Sequence, residues 1–332
     1  MSRDRVYAAL AKCPGEYLSG EELSRELGIT RAAVWKAVEA LRHQGYAIEA
    51  RTGRGYCLME VQERLERREI AAHLGQERPN WQVCGEVDST NSLCKRLAVE
   101  GAPDGTAVIA DCQSAGRGRR GRSFQSPAGL GLYFSILWRP EVPPQDLMSL
   151  PALGAVAACR AIEEVCGVRP EIKWPNDLVF HGKKLGGILT EMAMESESGL
   201  VEYVVLGIGI NVRQRREDFE GEVADMASSL EAELGQTVSR PRLAAALLRQ
   251  MDALRQEALC APEKWLAEYR RYCLTLGAQV QLIAGERRST AVALDIDETY
   301  GLVVRRPDGT VETVRSGEVS VRGLYGYVPG EE

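Results

Sequence analysis

The chain has only three histidines, His43, His73 and His181, among 332 residues. None belongs to an HExxH motif and no two stand at metal-ligand spacing. That argues against zinc catalysis and against a Ser-His-Asp hydrolase. Cys-x-x-Cys is absent too. Nine cysteines, an odd number without close pairs, fit the reduced thiols of a cytoplasmic protein better than a disulfide framework. Cys159 and Cys166 fall on one expected helix and read as core thiols. No apolar run reaches about 18 residues, so no membrane-spanning segment is expected. The opening MSRDRVYAALAKC lacks the apolar core and small-residue cleavage site of a secretory signal. Neither sign of charge dominates: 41 Lys and Arg stand against 47 Asp and Glu, a net charge of −6. Such a balance argues against a general nucleic-acid coat but leaves room for a local DNA-binding module. Internal repeats and low-complexity tracts are missing.

What is present is ordinary globular usage, 45% hydrophobic and 27% charged, over a length that suits two or three domains. Residues 1–60 read as a winged helix-turn-helix. Ser19 and Glu22 have capping-box spacing, Gly28 ends the short helix they open, and Thr30 caps a second. Val34, Val38 and Leu41 form the apolar face of that second helix, and Arg31, Trp35 and Lys36 the opposite one. The strands YAIEA and GYCLM, joined through Arg51 to Gly55, form the wing. Over residues 31–54, five Lys/Arg stand against two Glu, so this segment is locally basic inside an acidic chain. Arg31, Trp35, Lys36, Arg51 and Arg54 are therefore the expected DNA contacts, although a winged helix can also serve in protein contacts.

Residues 61–274 mix helix and strand. VQERLERREIAAHL is expected as an amphipathic hinge helix. Strands are expected at GTAVIADCQ, GLYFSILW, PEIKW, KKLGGILTEMAM and VEYVVLGIGINV, with helices at LMSLPALGAVAACRAIEEVC and at RLAAALLRQMDALRQEALC after Pro241. Residues 275–332 are strand-like throughout, with Asp308-Gly309 as a hairpin turn, and read as a small β-barrel.

The most unusual stretch is Gly116-Arg117-Gly118-Arg119-Arg120-Gly121-Arg122. Its glycines allow close backbone approach and its arginines aim positive charge at one spot, which suits an anion such as phosphate or carboxylate. The bland alternative is a mobile basic surface loop. A literal G-x-G-x-x-G match does not make it a dinucleotide fingerprint, because Pro127, Gly129 and a strand follow where a helix would have to start. No P-loop is present. Other polar groups surround it in sequence. Ser89-Thr90-Asn91 sits between a strand and a helix, where it could read a ligand or simply cap the helix. Gln113 ends the strand before the loop, and Asn176 and Asp177 mark the corner of a Trp174-Pro175 turn. Lys184 precedes Gly186-Gly187 and reads either as a phosphate contact or as an exposed turn lysine. Gly207 and Gly209, beside Asn211, mark a strand that something approaches closely.

Taken together, GRGRRGR at 116–122, KWPNDL at 173–178, GKKLGGILTE at 182–191 and GIGINV at 207–212 resemble the signatures of biotin protein ligases, in that family's order. With the N-terminal helix-turn-helix, the whole chain resembles the bifunctional form, which is both ligase and biotin operon repressor. The resemblance implies an α+β multidomain protein: a winged helix-turn-helix, a central mixed α/β catalytic domain like class II aminoacyl-tRNA synthetases, and an SH3-like β-barrel. It implies that biotin and Mg-ATP give biotinyl-5′-AMP, and that a lysine of biotin carboxyl carrier protein then takes the biotin. By the same resemblance Ser89, Thr90, Asn91 and Gln113 would hydrogen-bond the ureido ring, and Lys184 would hold the carboxyl oxygen and the reacting phosphorus. Arg119 and Arg122 would neutralise phosphates, Asp177 would orient metal or adenylate, and Trp174 would form an apolar wall. Gly116, Arg117, Gly118, Asn176, Gly187 and Asn211 complete the implied site, and no metal-ligating residue is expected. Glu318 and Arg322, in GEVSVR, would touch nucleotide or loop, and the arginine loop would order around the adenylate. One departure is visible: Phe124 stands where some members have a tryptophan. Operator DNA and a homodimer formed with adenylate bound are the implied partners, and no membrane. Two alternatives stand beside this reading: a biotin-sensing regulator with little or no ligase turnover, and lipoate ligase chemistry. Retention of Lys184 and the full arginine loop disfavours the first, and GRGRRGR with KWPNDL the second.

Overall fold

Ser19 and Glu22 open a helix by reciprocal hydrogen bonds: the Glu22 amide donates to Ser19 Oγ at 3.1 Å, and the Ser19 amide to Glu22 Oε2 at 2.8 Å. A cap of this kind stabilises a helix by about 1 kcal/mol. The structure, a computed structural model, describes residues 2–59, 64–221, 223–257, 262–284, 287–315 and 318–321. The chain forms two compact units, 1–78 with 239–245 and 79–238 with 246–332.

In the first unit, α1 (Ser2–Ala11) precedes α2 (Gly20–Leu27), which stops at Gly28 in the left-handed region, φ 62°. Thr30 Oγ1 then accepts from the Ala33 amide at 3.2 Å to cap α3 (Arg31–His43). Val34, Val38 and Leu41 turn into a core with Val6, Leu10 and Leu23. The wing is the antiparallel pair β1 (Ile48–Arg51) and β2 (Gly55–Leu58), with Ile48 opposite Leu58. At Gly55, φ 105°, a Cβ would lie 2.1 Å from the Leu18 carbonyl oxygen, so only glycine lets the wing close on this segment. The expected hinge helix begins later than its apolar periodicity suggests, as α4 (Arg67–Leu74); residues 60–63 lie outside those described. It packs within this unit. Buried Glu69 accepts hydrogen bonds from the hydroxyls of Tyr7 and Tyr46, the latter at 2.6 Å.

The second unit is built on a seven-stranded sheet of β3 (Trp81–Val87), β4 (Ala107–Gln113), β5 (Gly131–Trp138), β6 (Glu171–Lys173), β7 (Asp177–Phe180), β8 (Lys183–Met194) and β9 (Val201–Asn211). The strand order is β3-β4-β5-β9-β8-β7-β6, and β3 with β4 is the parallel pair. Each strand run expected from the sequence is found here. Helix α5 (Thr90–Val99) covers the face carrying Tyr203, Val205 and Gly207. Helix α6 (Leu150–Cys166) covers the other, where Gly154 meets Leu206 and Ile188. Besides α1, three helices are not expected from the sequence: α7 (Val223–Met226), α8 (Leu230–Leu234) and α10 (Pro262–Tyr272), which follows α9 (Arg240–Glu257). The first two are too short to show a period. Helix α10 buries Trp265, Tyr269 and Tyr272 along one face, a pattern that was readable.

The C-terminal strands β10 (Gln279–Ala284), β11 (Arg287–Ile296), β12 (Leu302–Arg305), β13 (Val311–Val314) and β14 (Glu318–Val321) form an antiparallel sheet, order β13-β12-β11-β10-β14. Asp308-Gly309 makes the expected turn, with Gly309 at φ 88° and its amide donating to the Arg306 carbonyl at 3.0 Å. The region expected as one strand-like run, 311–323, divides between β13 and β14; Arg322 lies outside the described residues. Among the described residues, no helix is long and apolar enough to cross a membrane.

Candidate active site

A cavity of about 930 Å³ opens where the arginine loop, the N-terminus of α5, the corner between β6 and β7, and the C-terminal sheet meet. It is large enough for a ligand of drug size or more. The loop that leaves β4 is held in a narrow hairpin. The Gly118 amide donates to the Arg122 carbonyl at 2.7 Å, and the Phe124 amide to the Gly116 carbonyl at 2.9 Å. Gly116 is required by space: a Cβ there would fall 2.3 Å from the Phe124 carbonyl oxygen. Arg120 takes a left-handed turn at φ 56°, unusual for a residue with a side chain.

Two of the loop's arginines reach across to other elements. Arg119 Nη1 donates to Asn176 Oδ1 at 2.7 Å, and Arg117 Nη2 to Glu191 Oε2 at 2.7 Å. Asn176 in turn donates through Nδ2 to the Ile188 carbonyl at 2.6 Å, which fixes its amide orientation. At the same corner, Lys184 Nζ lies 2.6 Å from Asp177 Oδ1. The corner itself is fastened to the C-terminal sheet. The Trp174 amide donates to Thr275 Oγ1 at 3.0 Å, and its indole N–H to the Tyr300 carbonyl at 3.0 Å. Trp174 lines the cavity although it is only 2% exposed.

The far wall is a polar patch inside an otherwise apolar core. Thr90 donates its amide to Gln113 Oε1 at 2.8 Å, and Gln113 Nε2 donates to Ser126 Oγ at 2.8 Å. Ser135, fully buried in β5, has its Oγ 2.7 Å from Thr90 Oγ1 and 2.6 Å from Asn91 Oδ1. Asn91 Nδ2 reaches Glu191 Oε2 at 2.9 Å. Gly207 makes room for this amide, since a Cβ there would stand 2.1 Å from Asn91 Oδ1. Burial pushes the Glu191 carboxyl up, but the hydrogen bonds of Asn91 and Lys95 and the charges of Lys95 and Arg117 outweigh it, so it lies below the ordinary carboxylate range. Just outside, the Arg96 guanidinium bonds both oxygens of Asp88 and brings its carboxyl down to about 2.

The cavity is thus lined by Ser89, Thr90, Asn91, Gln113, Arg117, Gly118, Arg119, Arg122, Trp174, Asn176, Asp177, Lys184, Gly187 and Asn211. Gly116 itself is not among the lining residues. Asn211 is turned partly away, donating to the Ser228 carbonyl at 3.1 Å. Sequence reasoning missed Ser135 and Glu191, and also Arg288 and Phe219, which line the cavity from β11 and from the segment after β9. A serine within GLYFSILW was the available signal for the first; Glu191 shows itself only through its partners.

Comparison with known proteins decides the family. Residues 84–211 match the biotin/lipoate A/B protein ligase family, and residues 5–57 match a helix-turn-helix domain. Over 329 residues the chain is 35% identical to the bifunctional ligase/repressor BirA of Bacillus subtilis (strain 168), covering 96% of this chain and 98% of that protein. The chain belongs to the bifunctional biotin ligase/repressor family. The Escherichia coli (strain K12) bifunctional ligase/repressor BirA is 33% identical over 323 residues, 96% of each chain. A solved biotin protein ligase from Aquifex aeolicus, in complex with biotin and ATP, superposes with a TM-score of 0.63 at 32% identity, over 74% of this chain and 99% of that one. In this ligase/repressor, the family match ends at Asn211 and contains the loop, the corner and Lys184.

Exposure in the first unit is uneven. Arg31, Lys36 and Arg54 are exposed and Trp35 is 54% exposed. Arg51, however, is paired with Glu49 at 2.8 Å, and Arg42 with Glu39 at 3.0 Å. The basic excess of residues 31–54 therefore rests on Arg31, Lys36 and Arg54.

Proposed function

We infer that this protein is an ATP-dependent biotin protein ligase that also represses transcription. A biotin carboxylate oxygen attacks the α-phosphorus of ATP; the new P–O bond forms as the bond to pyrophosphate breaks. The amine of a carrier-protein lysine then attacks the carbonyl of biotinyl-5′-AMP, and AMP leaves as the amide forms. The observation that carries this reading is the convergence of Lys184 and Arg119 on one cavity that is also lined by the neutral polar side chains of Ser89, Thr90, Asn91 and Gln113. Cations belong where a carboxylate is pressed against a triphosphate, and neutral donors and acceptors belong where a ureido group is read.

In this reading Lys184 contacts the reacting carboxyl and phosphoryl oxygens, and Asp177 holds its ammonium in place until substrates arrive. Arg119 and Arg122 neutralise phosphates, with Asn176 aiming the first. Ser89 and Thr90 face the ureido end, the latter oriented by Gln113 and Ser135. Asn91 spends its carboxamide on Ser135 and Glu191, so it supports this wall more than it touches ligand. Among the described residues, no cluster of three or more His, Cys, Asp or Glu could hold a metal ion. Mg²⁺ would accompany the ATP phosphates, with Asp177 as a protein oxygen for it, and would neutralise charge on the triphosphate.

The helix-turn-helix reads operator DNA. One copy per chain covers one half-site, so repression needs a homodimer, formed when adenylate is bound. Work in the cytoplasm suits a chain whose nine cysteines include no close pairs. Incubating the pure chain with labelled biotin, ATP and a biotin carboxyl carrier domain tests the ligase: labelled carrier is expected. Adenylate formed without transfer would reduce the protein to a sensor.

A further inference from the structure

Glu191 lies on β8 beyond the glycines that border the cavity, yet it meets both of the cavity's walls. Its Oε2 accepts from Arg117 Nη2 at 2.7 Å and from Asn91 Nδ2 at 2.9 Å, and its Oε1 lies 3.0 Å from Lys95 Nζ. The donors come from two segments far apart in sequence, the arginine loop and helix α5. Lys95 and Arg117 are the charged groups that face it. The Asn91 amide is fixed at its other end by Ser135, and Gly207 leaves no slack behind it. An exposed ion pair would contribute little. Here the carboxylate is 24% exposed and three donors converge on it, so each partner's orientation is defined by the others.

We propose that Glu191 is a positioning residue for biotin and its adenylate: it ties Arg117 of the loop to the α5 wall, and so keeps the loop closed over the ligand. The proposal rests on the ligase reading above. Its effect falls on how long ligand is held. The carboxylate of Glu191 is turned toward Arg117, Asn91 and Lys95 and is not assigned a contact with the reacting atoms.

The test compares the full chain with E191Q, R117A and the double variant E191Q/R117A. Two quantities are read: the dissociation rate of labelled biotinyl-5′-AMP, and the KM values of biotin and ATP in pyrophosphate exchange. E191Q is expected to shorten the adenylate lifetime and raise the KM of biotin, each about five- to tenfold, with kcat at saturation and the melting temperature unchanged. Because Glu191 acts through Arg117, the double variant should release adenylate no faster than R117A. A lifetime in E191Q equal to that of the unaltered chain, or losses that multiply in the double variant, would overturn the assignment. If E191Q does not fold, E191D replaces it: the charge remains but the shorter side chain cannot reach all three donors, and an unchanged lifetime again refutes the role. An unaltered chain that makes no adenylate would instead bring down the ligase reading itself.

Discussion

The ring of Phe124 packs against the backbone of Gly209 so closely that a Cβ at 209 would fall 2.6 Å from Phe124 Cε1. The ring is braced from the side by Tyr133, edge to face at 6.3 Å. This contact explains the second glycine of GIGIN, and it puts Phe124, two residues beyond the arginine loop, under the control of β9. Gly209→Ala must displace the ring and, with it, the end of the loop. Overpacking of this kind costs about 1–3 kcal/mol. The variant should melt at lower temperature and bind biotin and ATP more weakly, as read by calorimetric titration. Native affinity for both ligands would show that the ring is free to move.

Lys184 is the residue on which adenylation depends most. Its ammonium is 2.6 Å from Asp177 and on the cavity wall, partly exposed, so its removal leaves the core untouched. Lys184→Ala should lower the pyrophosphate-exchange rate by about 10²–10³, the loss typical of removing one preorganised charge from a transition state, while the melting temperature stays near that of the unaltered chain. Exchange at the native rate would refute its assignment.

Much of this site is legible in the sequence, for a physical reason: its parts are dense local signals. Four arginines among three glycines, or a Trp-Pro corner followed by Asn-Asp, have few uses in a core. The strands were legible because their apolar runs are bounded by turn residues. The partners were not. Ser135 and Glu191 are single polar residues in long strands, and their meaning arises only when β5, β8 and α5 come together. Asn91 shows the opposite difficulty. Its position between strand and helix suited either a cap or a ligand contact, yet its amide is committed to Ser135 and Glu191. Charge counting gave the size of the basic excess but not its bearers: Glu39 sits beside Arg42 on α3 and Glu49 beside Arg51 on the wing, which leaves the excess on Arg31, Lys36 and Arg54.

The buried carboxylate of α4 makes the stability of the first unit depend on pH. Burial pushes the Glu69 carboxyl above its ordinary value of 4.5, although the Tyr46 and Tyr7 hydroxyls pull it back. A carboxyl raised in this way keeps its proton in the folded state over a window where the unfolded chain has lost it. Its stabilising contribution is therefore complete below pH 4.5 and declines as pH rises through the elevated folded value. Glu69→Gln has no proton to lose, and its amide can still meet both hydroxyls. Melting curves of the two proteins from pH 4.5 upward should diverge, the unaltered chain losing stability relative to E69Q. Parallel curves would mean that Glu69 titrates normally.

Operator binding should separate the basic residues of the first unit into two groups. Arg31, Lys36 and Arg54 are exposed and form no salt bridge among the described residues; Arg42 and Arg51 face Glu39 and Glu49. A cation already neutralised by a carboxylate releases fewer counterions when it meets a phosphate. Replacing Arg31, Lys36 or Arg54 with alanine should each weaken operator binding and reduce the slope of log K against log salt by about 1. Arg42→Ala and Arg51→Ala should change that slope much less. Adenylate formation should be the same in all five, since the cavity is lined by residues of the second unit. Equal slopes across the five variants would mean that the pairing with Glu39 and Glu49 does not persist when DNA is bound.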